Sequence, residues 1–107
     1  MADTISKQPA SETPTGEKGQ FLLAAGGNVA LRLWDEGPVH GKTPHGHAYE
    51  TVGYVIEGRA TLISGDTRLA LEPGDSWHVP SGVEHVYEVE TGFKAVEATS
   101  PPAREAR

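Results

Sequence analysis

Three histidines stand where they can do chemistry. His45 and His47 flank Gly46, and His85 closes the run Pro80-Ser81-Gly82-Val83-Glu84-His85. On an extended strand, residues two apart point to the same face, with Cα atoms roughly 6.5–7 Å apart. Two imidazoles so placed can converge on one ion, and a third from another strand completes one face of a metal site. Three neutral nitrogen ligands leave coordination positions open for water, substrate or dioxygen. That layout suits chemistry or small-ligand binding better than a closed structural site. The competing reading of the pair alone is two solvated histidines near turns. No nucleophilic arrangement competes, because Ser76 and Ser81 have no base and orienting partner at a recognisable spacing.

The elements that must position these residues are short strands. Segments with period-two alternation are broken by Gly, Pro, Asp and Asn, which is the signal of an all-β sandwich or barrel. Strands are expected at Gln20–Ala25, Val29–Trp34, His47–Tyr49, Val52–Glu57, Ala60–Ser64, Thr67–Leu71, Ser76–Val79, His85–Glu90 and Lys94–Ala98. Gly26-Gly27-Asn28 and Gly65-Asp66 read as hairpin turns, and Pro73-Gly74-Asp75 as a tight turn. Asp35–Pro44 holds two Gly and two Pro without alternation, and reads as a loop or flap beside the first histidine pair. Residues 1–18 are rich in Ser, Thr, Pro, Ala, Glu and Lys and are expected to form a loose tail. Residues 19–99 form the barrel, and residues 100–107 a second tail.

Composition narrows the function classes. The chain has 107 residues, enough for one domain, and a net charge of -6 with His neutral. That gives no electrostatic reason to bind nucleic acid or an anionic membrane. There is no Cys, so disulfides and thiolate sites are excluded, and any metal must be held by His, carboxylate, hydroxyl or water. No apolar run approaches a membrane span, and the N-terminus lacks the pattern of a secretory signal. A cytoplasmic location is the default expectation. A small domain buries a modest share of its surface, so a second subunit would help to cover apolar strands.

Two segments together resemble the cupin superfamily. The first cupin motif has the general form G-x5-H-x-H-x(3,4)-E-x6-G, and here runs His45-Gly46-His47-Ala48-Tyr49-Glu50-Thr51-Val52-Gly53-Tyr54-Val55-Ile56-Glu57-Gly58. The second, G-x5-P-x-G-x2-H-x3-N, here runs Gly74-Asp75-Ser76-Trp77-His78-Val79-Pro80-Ser81-Gly82-Val83-Glu84-His85-Val86-Tyr87-Glu88-Val89. The resemblance covers roughly Phe21 to Ala98. It implies a jelly-roll barrel, or double-stranded β-helix, of the small single-domain microbial type.

The sequence departs from the motifs at three places. Val39 replaces the first Gly of motif one, and Val89 the final Asn of motif two. More seriously, the family's metal-binding Glu falls on Thr51. Glu50 is one residue early, on the other face unless a β-bulge returns it. The resemblance therefore implies metal ligands His45, His47 and His85, with Thr51 facing the same pocket. A Thr hydroxyl is a poor ligand for Zn²⁺ or Fe²⁺ and is better suited to holding a metal-bound water. Losing the carboxylate raises the site's charge by one unit, which favours an anionic substrate. The ligand set is similar to that of the cupin thiol dioxygenases and the diketone-cleaving dioxygenase.

Alternation extends the reading. Thr51, Gly53 and Val55 should face inward, and Val52, Tyr54 and Ile56 outward. Gly53 either makes room for a ligand or marks a bend. Tyr87 and Val89 face inward from His85, making Tyr87 a candidate hydrogen-bond donor or general acid, or else a core Tyr with its hydroxyl at the rim. Tyr49 should line the entrance. His78 is either a proton shuttle or an outer-face histidine, and His40 either a fourth ligand or a loop residue. Val29, Leu31 and Leu33 are expected in the core. Trp34, with Arg32 on the opposite face, is expected at a subunit interface or beneath the long loop.

The function expected is that of a small metal-dependent enzyme with catalytic roles for Tyr87 and Thr51. Fe²⁺ would suggest dioxygenation; Zn²⁺, Mn²⁺ or Ni²⁺ would suggest lyase, isomerase or hydrolytic chemistry. The alternative is a non-catalytic module that binds a small ligand. A homodimer is expected in either case.

Overall fold

A computed structural model describes residues 4–103. Among these, the strands are β1 Phe21–Ala25, β2 Ala30–Glu36, β3 Glu50–Gly58, β4 Ala60–Ser64, β5 Thr67–Leu71, β6 Ser76–Val79, β7 Val86–Glu88 and β8 Phe93–Ser100, preceded by a single 3₁₀ turn at Ala10–Glu12. They form a five-stranded sheet in the order β1-β2-β8-β3-β6 and a three-stranded sheet in the order β5-β4-β7, with antiparallel pairing throughout. This is the all-β architecture that the alternation implies, in the jelly-roll form that the cupin resemblance implies.

The core fills the space between the sheets. Val55, Trp77, Val79, Phe93 and Ala95 come from the large sheet, and Ala60, Leu62 and Leu71 from the small one, with Val89 just beyond β7. Gly58 ends β3 where the chain must turn away. Its φ is +78°, and a side chain there would meet the carbonyl of Gly92, whose oxygen accepts from Arg59 N at 3.1 Å. Only Gly meets both demands without strain.

Register across the large sheet sets two inward rows, Arg32–Glu97–Gly53–Trp77 and Ala30–Thr99–Thr51–Val79. On the other face lie the rows Leu31–Ala98–Val52–His78 and Leu33–Val96–Tyr54–Ser76. The expected parity of β3 holds: Thr51, Gly53 and Val55 are buried, and Val52, Tyr54 and Ile56 exposed.

The parity expected of β2 is reversed. Val29 and Leu31 are exposed and Leu33 half-buried, whereas Arg32 is only 7% exposed and Trp34 turns inward. The polar row can be interior because its charges pair with each other there, and the apolar row forms an unpaired outer face of the sheet.

The expected short strand at His47–Tyr49 does not form. His45 instead makes an isolated bridge with His85, each backbone N–H donating to the other's carbonyl at 3.1 Å. The next residues are laced to the facing loop, where Gly82 N donates to His47 O at 2.7 Å. Gly46 permits this approach, since a Cβ there would lie 2.7 Å from Gly82 O.

Of the segment expected as a loose N-terminal tail, residues 8–18 carry defined contacts that lead into the first strand. Gln8 Nε2 donates to Leu22 O, Leu22 N donates to Pro14 O, and Gln20 is fully buried. Past Ser100, Ala103 is buried and donates its N–H to Thr99 Oγ1 at 2.8 Å. The outermost parts of both expected tails, residues 1–3 and 104–107, lie outside the described residues.

Candidate functional site

At one end of the sandwich lies a cavity of about 190 Å³ lined by residues of both sheets. His45, His47, His85, Thr51, Tyr49 and Tyr87 all line it. Arg32, Trp34 and Glu36 of β2, Glu97 and Phe93 of β8, and Lys18 and Lys42 add a second set of walls.

The histidines hold distinct positions. His85 Nδ1 lies 3.0 Å from Val83 O. A carbonyl only accepts, so this contact places the proton on Nδ1 and leaves the Nε2 lone pair of a neutral ring for a ligand. The His47 ring meets that of His85 edge-on at 5.7 Å and stacks on Tyr49 at 4.8 Å with only 5° between the planes. Among the described residues, no three His, Cys, Asp or Glu side chains are grouped as a metal site.

Thr51 is 4% exposed and faces the cavity. Glu50 does not return to the site. Its carboxylate meets His78 Nε2 at 2.9 Å on the outer face of the sheet, which also gives His78 its role as a surface partner. His40 is exposed, 3.9 Å from Glu90, and away from the cavity lining.

Gly53 neither enlarges the cavity nor bends the strand. The indole of Trp77 occupies the space over it, and a Cβ at Gly53 would lie 2.8 Å from Trp77 Cε2, with Cζ2 and Cη2 nearer still. Trp77 Nε1 in turn donates to the Tyr87 hydroxyl at 3.0 Å. Burial pushes the Tyr87 pKa well above the usual phenol range, and the charge of Glu97 adds to the shift. The phenol therefore keeps its proton at neutral pH and can donate it in a hydrogen bond to a bound ligand.

The second wall is a buried ion pair that the strand pattern alone does not single out. Arg32 Nε donates to Glu97 Oε1 at 2.8 Å, and Trp34 Nε1 donates to the same oxygen at 3.0 Å. The guanidinium lies 5.2 Å from the Trp34 ring centroid and 5.4 Å from that of Tyr49, and donates to Tyr49 Oη at 3.4 Å. Burial works against its charge, but Glu97 and Tyr49 more than offset this and hold its pKa above the ordinary value. Glu36 is pushed up by burial; Lys42 opposes the shift and Glu97 reinforces it. The signal in the sequence is the shared parity of Arg32 and Trp34, which points outward as long as Leu31 and Leu33 are taken as the core face.

Residues 32–99 match the family model described as the Cupin domain. The chain belongs to the cupin family. An uncharacterised protein of Streptomyces coelicolor is 30% identical over 84 residues, 78% of each chain. The cupin fold also appears in an RmlC-like cupin from Shewanella frigidimarina, with a TM-score of 0.79 at 24% identity over 95% of both chains. It appears again in Fe(II) HppE, with a TM-score of 0.77 at 19% identity over 92% of this chain and 62% of the other. At these identities the two structures speak for the fold alone, and the cupin fold hosts many chemistries.

Proposed function

We propose that this cupin binds a small anionic molecule beside a divalent transition metal held by His45, His47 and His85. The observation that carries the reading is the single cavity that gathers all three histidines with Thr51 and Tyr87. The donor chemistry fits such an ion, since His85 has its proton committed to Val83 and offers Nε2. When bound, Fe²⁺, Zn²⁺, Mn²⁺ or Ni²⁺ would supply Lewis acidity or, for Fe²⁺, reactivity toward dioxygen. The chain's own groups bind and orient. Tyr87 donates a hydrogen bond into the cavity, and Thr51 offers a hydroxyl that can hold water or substrate. Three cations, Lys18, Arg32 and Lys42, face two carboxylates, Glu36 and Glu97, so the lining carries one net positive charge with His neutral. An anion complements that wall.

Dioxygenase-like or lyase and isomerase chemistry follows from such a site. The second reading, a non-catalytic ligand-binding module, draws on Thr51 in the carboxylate's position and on the ungrouped histidines. Metal analysis of untagged protein tests the shared premise. His47→Ala and His85→Ala should each lose most of the metal, and full occupancy in both would show the site to be misassigned. Oxygen uptake during a substrate screen would then separate enzyme from binding module. We further propose a homodimer that buries the outer face carrying Val29, Leu31, Val52, Tyr54 and Ile56, all of them exposed in the single chain.

A further inference from the structure

We infer that Tyr49 is a positioning residue for His47 and that the buried Arg32–Glu97 pair is what holds Tyr49. The inference deepens the metal-site reading and rests on it for the use of His47, though not for the geometry. His47 lies between the His45–His85 bridge and the start of β3, in a stretch with no strand pairing of its own. Gly82 N fixes its carbonyl, which is backbone, and the orientation of the imidazole is set by side-chain contacts, among them the edge-on ring of His85 and the stacked ring of Tyr49. A ring parallel to the imidazole within 5° at 4.8 Å limits its rotation.

Tyr49 is itself in irregular backbone and needs an anchor. Arg32 provides two contacts, the guanidinium over the ring and the hydrogen bond to Oη. Arg32 is long and flexible by nature, yet here it is fixed from β8 by Glu97 and from its own strand by Trp34. The result is a continuous stack from two paired strands to one imidazole: Trp34, Arg32, Tyr49, His47. A buried ion pair is usually no more stable than well-packed apolar residues of similar volume. Stability therefore gives a weak reason for this pair, and support of a binding-site ring gives a better one.

The test uses Tyr49→Phe, which keeps the ring, and Tyr49→Leu, which removes it. In metal-free protein, NMR of the histidine ring protons reads the stack directly. His47 should be shifted upfield by the Tyr49 ring current in the parent and in Tyr49→Phe, and unshifted in Tyr49→Leu. Zn²⁺ affinity, measured by chelator competition, should fall roughly 10–100-fold in Tyr49→Leu, the range for losing a group that orients a metal ligand. Tyr49→Phe should stay near the parent, and thermal unfolding confirms that each variant folds. The volume-matched pair Arg32→Met with Glu97→Leu, which removes both charges of this ion pair together, should also lose the upfield shift.

Parent-like affinity in Tyr49→Leu would overturn the positioning role, as would a parent His47 at unshifted positions. A retained shift in the double variant would overturn the role of the ion pair. If no protein binds Zn²⁺, the metal reading of the site fails, while the ring-current comparison still decides whether Tyr49 sets His47.

Discussion

Replacing Gly53 by Ala tests how the core is joined to the cavity. The new Cβ would sit 2.8 Å from Trp77 Cε2 and closer to Cζ2 and Cη2. Carbon atoms attract best at about 3.5–4.0 Å, so one of the two must move. β3 is held between β6 and β8, so the backbone at Gly53 has little freedom. Trp77 is 7% exposed and packs against Tyr87 and Phe93. Overpacking of this kind costs about 1–3 kcal/mol. Displacing the indole also strains its hydrogen bond to Tyr87, worth about 0.5–1.5 kcal/mol. The expected destabilisation is about 2–4 kcal/mol, or roughly 10–25 °C in Tm for a domain of this size. Urea unfolding followed by tryptophan fluorescence measures it, with Gly27→Ala as a control, since a Cβ there meets nothing within 4 Å. In a Trp77→Leu background the Gly53→Ala penalty should shrink, because the clashing ring is gone. A loss below about 0.5 kcal/mol, the ordinary scatter of surface changes, would refute the packing argument.

Three further outcomes follow from the charges and the outer face. Glu97→Ala removes a buried carboxylate paired with the Arg32 guanidinium and should cost about 3–5 kcal/mol by urea unfolding, whereas Arg32→Met with Glu97→Leu should cost far less; equal losses would show that packing, not charge, dominates. The Glu36 pKa is raised on folding, so its contribution to stability is present below the ordinary glutamate value of 4.5 and is lost as pH rises through the folded value. The urea midpoint of the parent should therefore fall relative to Glu36→Gln between pH 4 and neutrality (~1 pH unit resolution suffices), and parallel curves would refute the assignment. Val52→Lys should convert a dimer to a monomer by light scattering after size exclusion, and a monomeric parent would refute the interface.

Much of the fold is legible in the sequence because alternation and turn chemistry agree. Both motifs land where the resemblance places them, and Thr51, Gly53 and Val55 face inward as parity requires. β2 is read backwards for a definite reason. The rule that the apolar face is the core works only when the other face is solvated. Here Leu31 and Leu33 join Val52, Tyr54, Val96 and Ala98 on a largely apolar outer face, while the inner face carries Arg32. A strand read alone cannot show that Arg32 will lie beside Glu97, 65 residues later, because only the β2–β8 register brings them together. Gly53 is hidden in the same way, since its meaning lies in a Trp on the neighbouring strand. Strand alternation aligns His45 with His47 on paper, whereas in the fold the bridge to His85 and the close approach of Gly46 to Gly82 bring that segment to the cavity.

The arrangement divides the sandwich into two ends with different physics. At one end Val55, Leu62, Leu71, Val79 and Ala95 supply close packing. At the other, the inward row is polar, and filling it with apolar side chains would favour closing the cavity. Arg32 and Glu97 avoid that outcome because their charges satisfy each other along the sheet wall while the space in front of them stays open. Trp77 joins the ends: its indole is buried over Gly53 in the core, and its N–H reaches the Tyr87 hydroxyl at the cavity. A change at Gly53, which does not itself line the cavity, should therefore reach Tyr87 in the lining through one hydrogen bond.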